Sequence, residues 1–257
     1  MSTAIHHLNC ASFHPPFVGR MVAHCLLVER PGGLTLVDTG FGTADLADPR
    51  RLGGPFRAAM RPLLLPEETA LAQLGALGYG PDDVTDIVLT HLDLDHAGGL
   101  GDFPRARVHV YDTELEAARN PRGMEHGRYL SAQWADADLV SHHAVGDDWF
   151  GFESVTVLDD DVLLVPLHGH SRGHAAVAVR RPDDTWLLHA GDGYFHTGDL
   201  TQPPSTPRTF RIVQRILAQD DQTRLANQER LSSFRVEHSD VTVFSAHDPR
   251  EFAALTT

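Results

Sequence analysis

Asp86-Ile87-Val88-Leu89-Thr90-His91-Leu92-Asp93-Leu94-Asp95-His96-Ala97-Gly98-Gly99-Leu100 carries a β-branched apolar run into a glycine turn and delivers a cluster of acidic and imidazole side chains there. Ile87-Val88-Leu89 reads as a buried strand. In the extended chain that leaves it, side chains two apart point the same way, so His91, Asp93 and Asp95 converge on one face. His96 reaches the same volume only if the backbone turns, which Ala97-Gly98-Gly99 allows at little steric cost. The pattern His-x-Asp-x-Asp-His arises by chance in roughly one chain in 100 of this composition, so the rest of the sequence must decide its meaning.

Further stations follow in order. Gly169-His170-Ser171-Arg172-Gly173-His174 forms a second glycine-flanked histidine turn. Leu187-Leu188-His189-Ala190-Gly191-Asp192 ends an apolar run on a Gly-Asp pair, and Val241-Thr242-Val243-Phe244-Ser245-Ala246-His247 ends another on a histidine. Earlier, Leu36-Val37-Asp38-Thr39-Gly40 leads a buried strand into an Asp-x-Gly turn. Taken together these stations resemble the metallo-β-lactamase superfamily, whose first motif reads His-x-His-x-Asp-His. The likeness runs from about residue 20 to the C-terminus. It departs at Asp93, where the family usually has its second histidine. A carboxylate oxygen there adds negative charge and hardens the site, which zinc tolerates but which favours iron and manganese relative to it.

The resemblance implies a four-layer αββα sandwich of the α+β class, spanning 1–257 as a single domain, with residues 41–66 and 120–150 as lid or insertion candidates. It further implies two divalent metal ions, zinc being expected and iron or manganese the alternatives. His91, Asp93 and His170 would hold one, Asp95, His96 and His247 the other, and Asp192 would bridge them. The implied activity is a binuclear metal-dependent hydrolase opening an ester or lactone with a water activated between the cations. Asp95 would pass a proton to the leaving group. Tyr194, two residues beyond the bridge, is a candidate oxyanion donor, although in related lactonases a Tyr lies one position further on. The rival readings are a di-iron or mononuclear-iron oxidoreductase of the same fold and a non-catalytic metal- or ligand-binding member. Asp38 is expected to orient a ligand histidine, and His174 to support the site without ligating.

Bulk properties narrow the setting. A formal net charge of −14 argues against general nucleic-acid binding, which rests on Lys and Arg. The opening Met1-Ser2-Thr3-Ala4-Ile5-His6-His7 has no basic segment followed by an apolar core, and no apolar run nears the length of a membrane span. A cytoplasmic chain acting on a small-molecule ester or lactone, without membrane contact and with a homodimer as the candidate assembly, is expected. Cys10 and Cys25 lack metal or redox spacing and read as buried reduced thiols.

Along the chain, Ala4 to Cys10, Met21 to Val28, Leu34 to Val37, Val108 to Tyr111, Val155 to Leu158, Val162 to Leu167, Ala175 to Arg180 and Thr185 to His189 read as strands. Residues 41–66, punctuated by Pro49, Gly53-Gly54-Pro55, Pro62 and Pro66, read as a long loop whose Phe41, Phe56, Met60 and Leu63-Leu64-Leu65 could line an apolar pocket. Helices are expected over Glu67 to Leu77, Asp112 to Ala118 with Asp112 as cap, Thr206 to Ala218 with Phe210, Val213 and Leu217 inward, and Gln222 to Phe234. Residues 120–150, with Met124, His126, Tyr129, Trp134, His142, His143, Trp149 and Phe150, could wall the cleft, while the histidines there lack ligand spacing. Asp248-Pro249-Arg250-Glu251 has the pattern of a capping box that would fix His247.

Overall fold

Branched apolar side chains fit a pleated surface better than a helix, and the runs rich in them form the strands here. The computed structural model describes residues 4–144 and 146–256. The first three residues of the segment read above as lacking a leader, and the Met124 side chain, lie outside what is described.

Two six-stranded mixed sheets are built. The first runs in chain order: β1 (Ile5–Phe13), β2 (Met21–Arg30), β3 (Gly33–Val37), β4 (Val84–Val88), β5 (Arg107–Tyr111) and β6 (Asp138–His142). Hairpins join β1 to β3, whereas β3 to β6 pair parallel. The second holds β7 (Asp147–Trp149), β8 (Phe152–Leu158), β9 (Val162–Pro166), β10 (Ala175–Arg180), β11 (Trp186–His189) and β12 (Val241–Phe244), of which only β11 and β12 pair parallel.

The strand alternation shows how the sheets stack. Leu26, Val28, Val37 and Val88 of the first sheet meet Leu164, Val177, Val179, Leu187 and Phe244 of the second in one core between the sheets. Their neighbours point outward. Cys25, Leu27, Leu36 and Ile87 pack under α3 (Ala70–Ala76) and α4 (Asp112–Arg119), and Leu163, Val165, Ala176 and Leu188 pack under α7 (Asp221–Glu237). Both faces of the central strands are therefore buried, which is why their sequences read as continuous apolar runs. Helices flank two facing sheets, the αββα arrangement. Cys10 and Cys25 are free and buried, as expected. No helix among the described residues is long and apolar enough to cross a membrane.

Several local expectations change. Residues 41–66 are not a bare loop: they hold the short helices Thr43–Ala47 and Gly54–Met60 and a 3-10 turn at Pro49–Leu52, because Pro49 and Pro55 occupy first-turn positions where proline's missing N–H costs nothing. Asp112 is the first residue inside α4, with Tyr111 as the cap position. Asp248 does cap α8 (Pro249–Leu255) by accepting from Arg250 N, but Glu251 does not close the box. Its carboxylate turns to Ser245 and Tyr194.

Candidate metal centre

The parallel pairs β3–β4 and β11–β12 end on the same edge of the sandwich, and the candidate ligands follow those ends. Asp38 follows β3; His91, Asp93, Asp95 and His96 follow β4; Asp192 follows β11; His247 follows β12. His170 lies in the turn between β9 and β10. The chain turns after Asp93, where the amides of His96 and Ala97 both donate to the Asp93 carbonyl, and this returns His96 to the face that His91 occupies. Gly191 is at φ +52, and a Cβ there would lie 2.6 Å from His174 Nε2 and 2.9 Å from Thr90 Cβ, so only glycine brings Asp192 into place.

The structure brings all seven expected ligands together in two groups, each with donor atoms within 4.8 Å of one another: His91, Asp93, His170 and Asp192, and Asp95, His96 and His247. Asp192 connects them through its two oxygens. Its Oδ2 is 3.3 Å from His170 Nε2 and 3.8 Å from His91 Nε2, while its Oδ1 is 3.4 Å from His96 Nε2 and 3.0 Å from His247 Nε2. Asp93 Oδ2 faces His170 Nε2 at 3.1 Å and His91 Nε2 at 3.4 Å. Asp95 Oδ2 is 3.8 Å from His247 Nε2.

Three of the four imidazoles are held by Nδ1 with Nε2 turned inward. His247 Nδ1 donates to the Val22 carbonyl, which only accepts, so its proton sits on Nδ1 and Nε2 is free to ligate. His96 Nδ1 donates to Asp38 Oδ2 at 2.8 Å. Thr90 Oγ1 also donates to Asp38 Oδ2 and accepts from His91 Nδ1 at 2.9 Å, so one carboxylate orients two rings. His174, as expected, supports rather than ligates: its Nδ1 donates to Leu167 O and its Nε2 accepts from the Asp192 amide. Buried polar atoms without a partner are rare in folded proteins, yet His91 Nε2, His96 Nε2 and Asp192 Oδ1 all lack a hydrogen bond and all face the same small space. That donor set, three carboxylates and four imidazoles whose Nε2 atoms face one space, fits divalent cations.

The charges are mutually dependent. Burial opposes ionisation of Asp192, but His247, His96 and His170 hold its carboxyl well below the usual range. Burial likewise opposes protonation of His96, and Asp192 and Asp38 overcome it, raising the imidazole well above its ordinary value. Asp38 is held down to about 2 against its burial, chiefly by His96. Burial pushes Asp95 up, with Asp192 and Asp93 adding to it against His96 and His247. Burial and the nearby Arg128 depress His170 to about 4.

A cavity of about 350 Å³ opens over the site. Asp93, Asp95, His170, Asp192 and His247 form its floor, and Pro55, Phe56, Ala59, Met60, Leu94, Phe195, Ile216 and Leu217 its largely apolar walls. Of the apolar residues expected to line a pocket, Phe56 and Met60 do. Phe41 is buried in the adjoining core, and Leu63 faces solvent. Among the described residues of the 120–150 segment, only Gly127 and Arg128 reach the cavity. Trp134 and Trp149 pack into separate cores, and His142 and His143 bond to His109 and Asp112.

The expected role of Tyr194 is corrected. Its ring is wholly buried in the core beneath α7 and its hydroxyl donates to Glu251, so it offers nothing to the cavity. Phe195, the next residue, lines the cavity and packs against the rings of His170 and His247, without a hydroxyl. Two residues were not anticipated. Glu114 on α4 is fully buried and accepts from Leu92 N, Ser171 Oγ and Gly173 N, tying the first motif to the His170 turn. Arg128 Nε stands 3.4 Å from Asp93 Oδ1. Neither belongs to a motif, and a helix-borne Glu or a loop Arg carries no sequence signal for such a place.

The family model of the metallo-β-lactamase superfamily matches residues 18–245. The chain belongs to the metallo-β-lactamase superfamily. Among relatives in this superfamily, a probable metallo-hydrolase of Mycobacterium tuberculosis is 43% identical over 251 residues, 95% of this chain and 80% of that protein. The N-acyl homoserine lactonase AttM of Rhizobium radiobacter is 30% identical over 235 residues, 88% of this chain and 82% of that one. A solved N-acyl homoserine lactone hydrolase, with N-hexanoyl-L-homoserine bound at its catalytic metal centre, superposes with a TM-score of 0.75 at 20% identity, covering 98% of this chain and 95% of that one. The relatives are hydrolases, and this superfamily member carries His and Asp side chains arranged to bind metal ions.

Proposed function

We propose that this chain is a binuclear metal-dependent hydrolase that opens an ester or lactone of a small molecule. The observation that carries the reading is Asp192, whose two oxygens face different imidazole pairs, the arrangement of a carboxylate shared by two cations. His91, Asp93 and His170 would hold one cation and Asp95, His96 and His247 the other. Bound cations would supply an activated water at neutral pH and polarisation of the scissile carbonyl.

The chain's own residues do the rest. Asp38 and Thr90 fix the rings of His96 and His91, and the Val22 carbonyl fixes His247, so the ligand atoms need little reorganisation. Asp95 lines the cavity, so a carboxylate oxygen there would be placed to take a proton and return it to the departing oxygen. Phe56, Met60, Phe195 and Leu217 exclude water and offer apolar surface to an acyl or alkyl group. The lactonase relatives support a lactone as substrate. Phe195 leaves the wall above His170 and His247 without a hydroxyl, so at that wall polarisation of the carbonyl would come from the bound cations. The test is turnover: protein reconstituted with zinc, manganese or iron and offered homoserine lactones, aliphatic lactones and aryl esters should hydrolyse at least one class. Loss of that activity with a chelator supports the reading, and no hydrolysis under any metal would refute it.

A further inference from the structure

Asp93 presents its two oxygens to different groups. Its Oδ2 points at His91 and His170, whereas its Oδ1 is buried with no hydrogen-bond partner among the described residues. Facing that oxygen is Arg128 Nε at 3.4 Å, on a side chain only 11% exposed. The approach is built into the backbone, because Asp93 and Tyr129 pair in an isolated antiparallel bridge that lays residues 127–130 alongside the first motif. The guanidinium is also tied on its far side. Nη1 donates to the His170 carbonyl at 2.8 Å and Nη2 to the Leu217 carbonyl at the end of the helix Arg208–Leu217. Among the described cavity-lining residues it is the one Arg or Lys.

We infer that Arg128 is a positioning residue of the metal centre that works as one unit with Asp93, supplying the counter-charge that lets a second carboxylate serve beside Asp192. The inference rests on the metal-binding reading above. The guanidinium is the group that faces the buried Oδ1, which has no hydrogen-bond partner among the described residues, and a buried guanidinium without that carboxylate would lack its counter-charge. Each member of the pair therefore becomes a liability when the other is removed. An imidazole at position 93 needs no counter-cation, so it suits the site only once the guanidinium is gone. A purely structural Arg128, acting through the two carbonyls, would show no such dependence on what occupies position 93.

The test is a double-mutant cycle read in cation affinity. Metal-free wild type, Asp93→His, Arg128→Gln and the double variant are titrated with Zn²⁺ against a chromophoric chelator. Gln keeps a donor for the carbonyls but removes the charge, and Arg128→Met repeats the cycle should Arg128→Gln not fold. Each single substitution is expected to weaken one of two cations by about 10- to 100-fold, the usual cost of losing a group that supports a ligand. The double variant should bind more tightly than either single one. A double variant that binds no more tightly than the tighter of the two singles, or an Arg128→Gln protein that binds like wild type, overturns the inference alone. A wild type that takes up no Zn²⁺ overturns the proposed function and this inference with it.

Discussion

Replacing Glu114 by Ala should loosen the metal centre from a position that touches no ligand side chain. Glu114 is fully buried, and its carboxylate accepts from Leu92 N at 3.0 Å, Ser171 Oγ at 2.6 Å and Gly173 N at 3.1 Å. Leu92 lies between His91 and Asp93, and Gly173 lies three residues after His170, so one side chain sets the spacing of the two segments. Leaving three buried donors without an acceptor costs roughly 1 to 3 kcal/mol each, and relief of the carboxylate's own burial returns part of that, giving a net loss of about 3 to 5 kcal/mol. Urea unfolding of the metal-free protein measures it as a lower midpoint with an unchanged m-value. Glu114→Gln, which retains one acceptor for Leu92 N, should lose less. A midpoint shift equivalent to under about 1 kcal/mol for the Ala variant would refute the assignment, since surface substitutions reach no further than that.

The same packing sets three other outcomes. Burial, aided by Asp248 and against the donors Ser245 and Tyr194, raises Glu251 from an ordinary 4.5 to about 7. The folded state thus holds that proton more tightly, a contribution complete below pH 4.5 and lost as pH rises through 7. In chelator, wild type should therefore lose up to about 3 kcal/mol relative to Glu251→Gln across that window, and parallel pH–stability curves would contradict it. Gly173→Ala would put a Cβ 1.9 Å from Glu114 N, backbone that cannot yield, so thermal melting should show a loss at or beyond the ~3 kcal/mol upper end of overpacking. Finally, stripping metal from protein held in free cation at about 100 times its dissociation constant should remove about 2.7 kcal/mol of stability per cation, roughly 5 to 10 °C in Tm each for a chain of this length, and an unmoved Tm would deny cation binding to the folded state.

Much of the centre could be read from spacing. His91, Asp93 and Asp95 alternate out of an apolar strand, and period two alone puts them on one face. Asp192 and His247 each end an apolar run, and Asp38 sits where a turn-forming Asp has something to orient. What was not legible depends on which strands end side by side. Arg128 and Glu114 reach the centre only through the Asp93–Tyr129 bridge and the packing of α4 on the His170 turn. Tyr194 was misjudged because position counted from Asp192 does not fix side-chain direction in an irregular turn: there the core took the Tyr, and Phe195 took the cavity wall. Glu251 satisfied a capping pattern in sequence, yet the unpaired amide of Ser245 and the buried hydroxyl of Tyr194 competed for its carboxylate and won. Proline and glycine between residues 49 and 66 suggest loop, although three of those prolines start helical turns.

Counting cations per chain by elemental analysis, in wild type and in Asp192→Ala reconstituted side by side, bears most directly on the shared-carboxylate centre. The account predicts two divalent cations in the native protein, fewer in the variant, and loss of hydrolysis together with the lost cation. Two cations retained by Asp192→Ala, or none taken up by wild type, would contradict it.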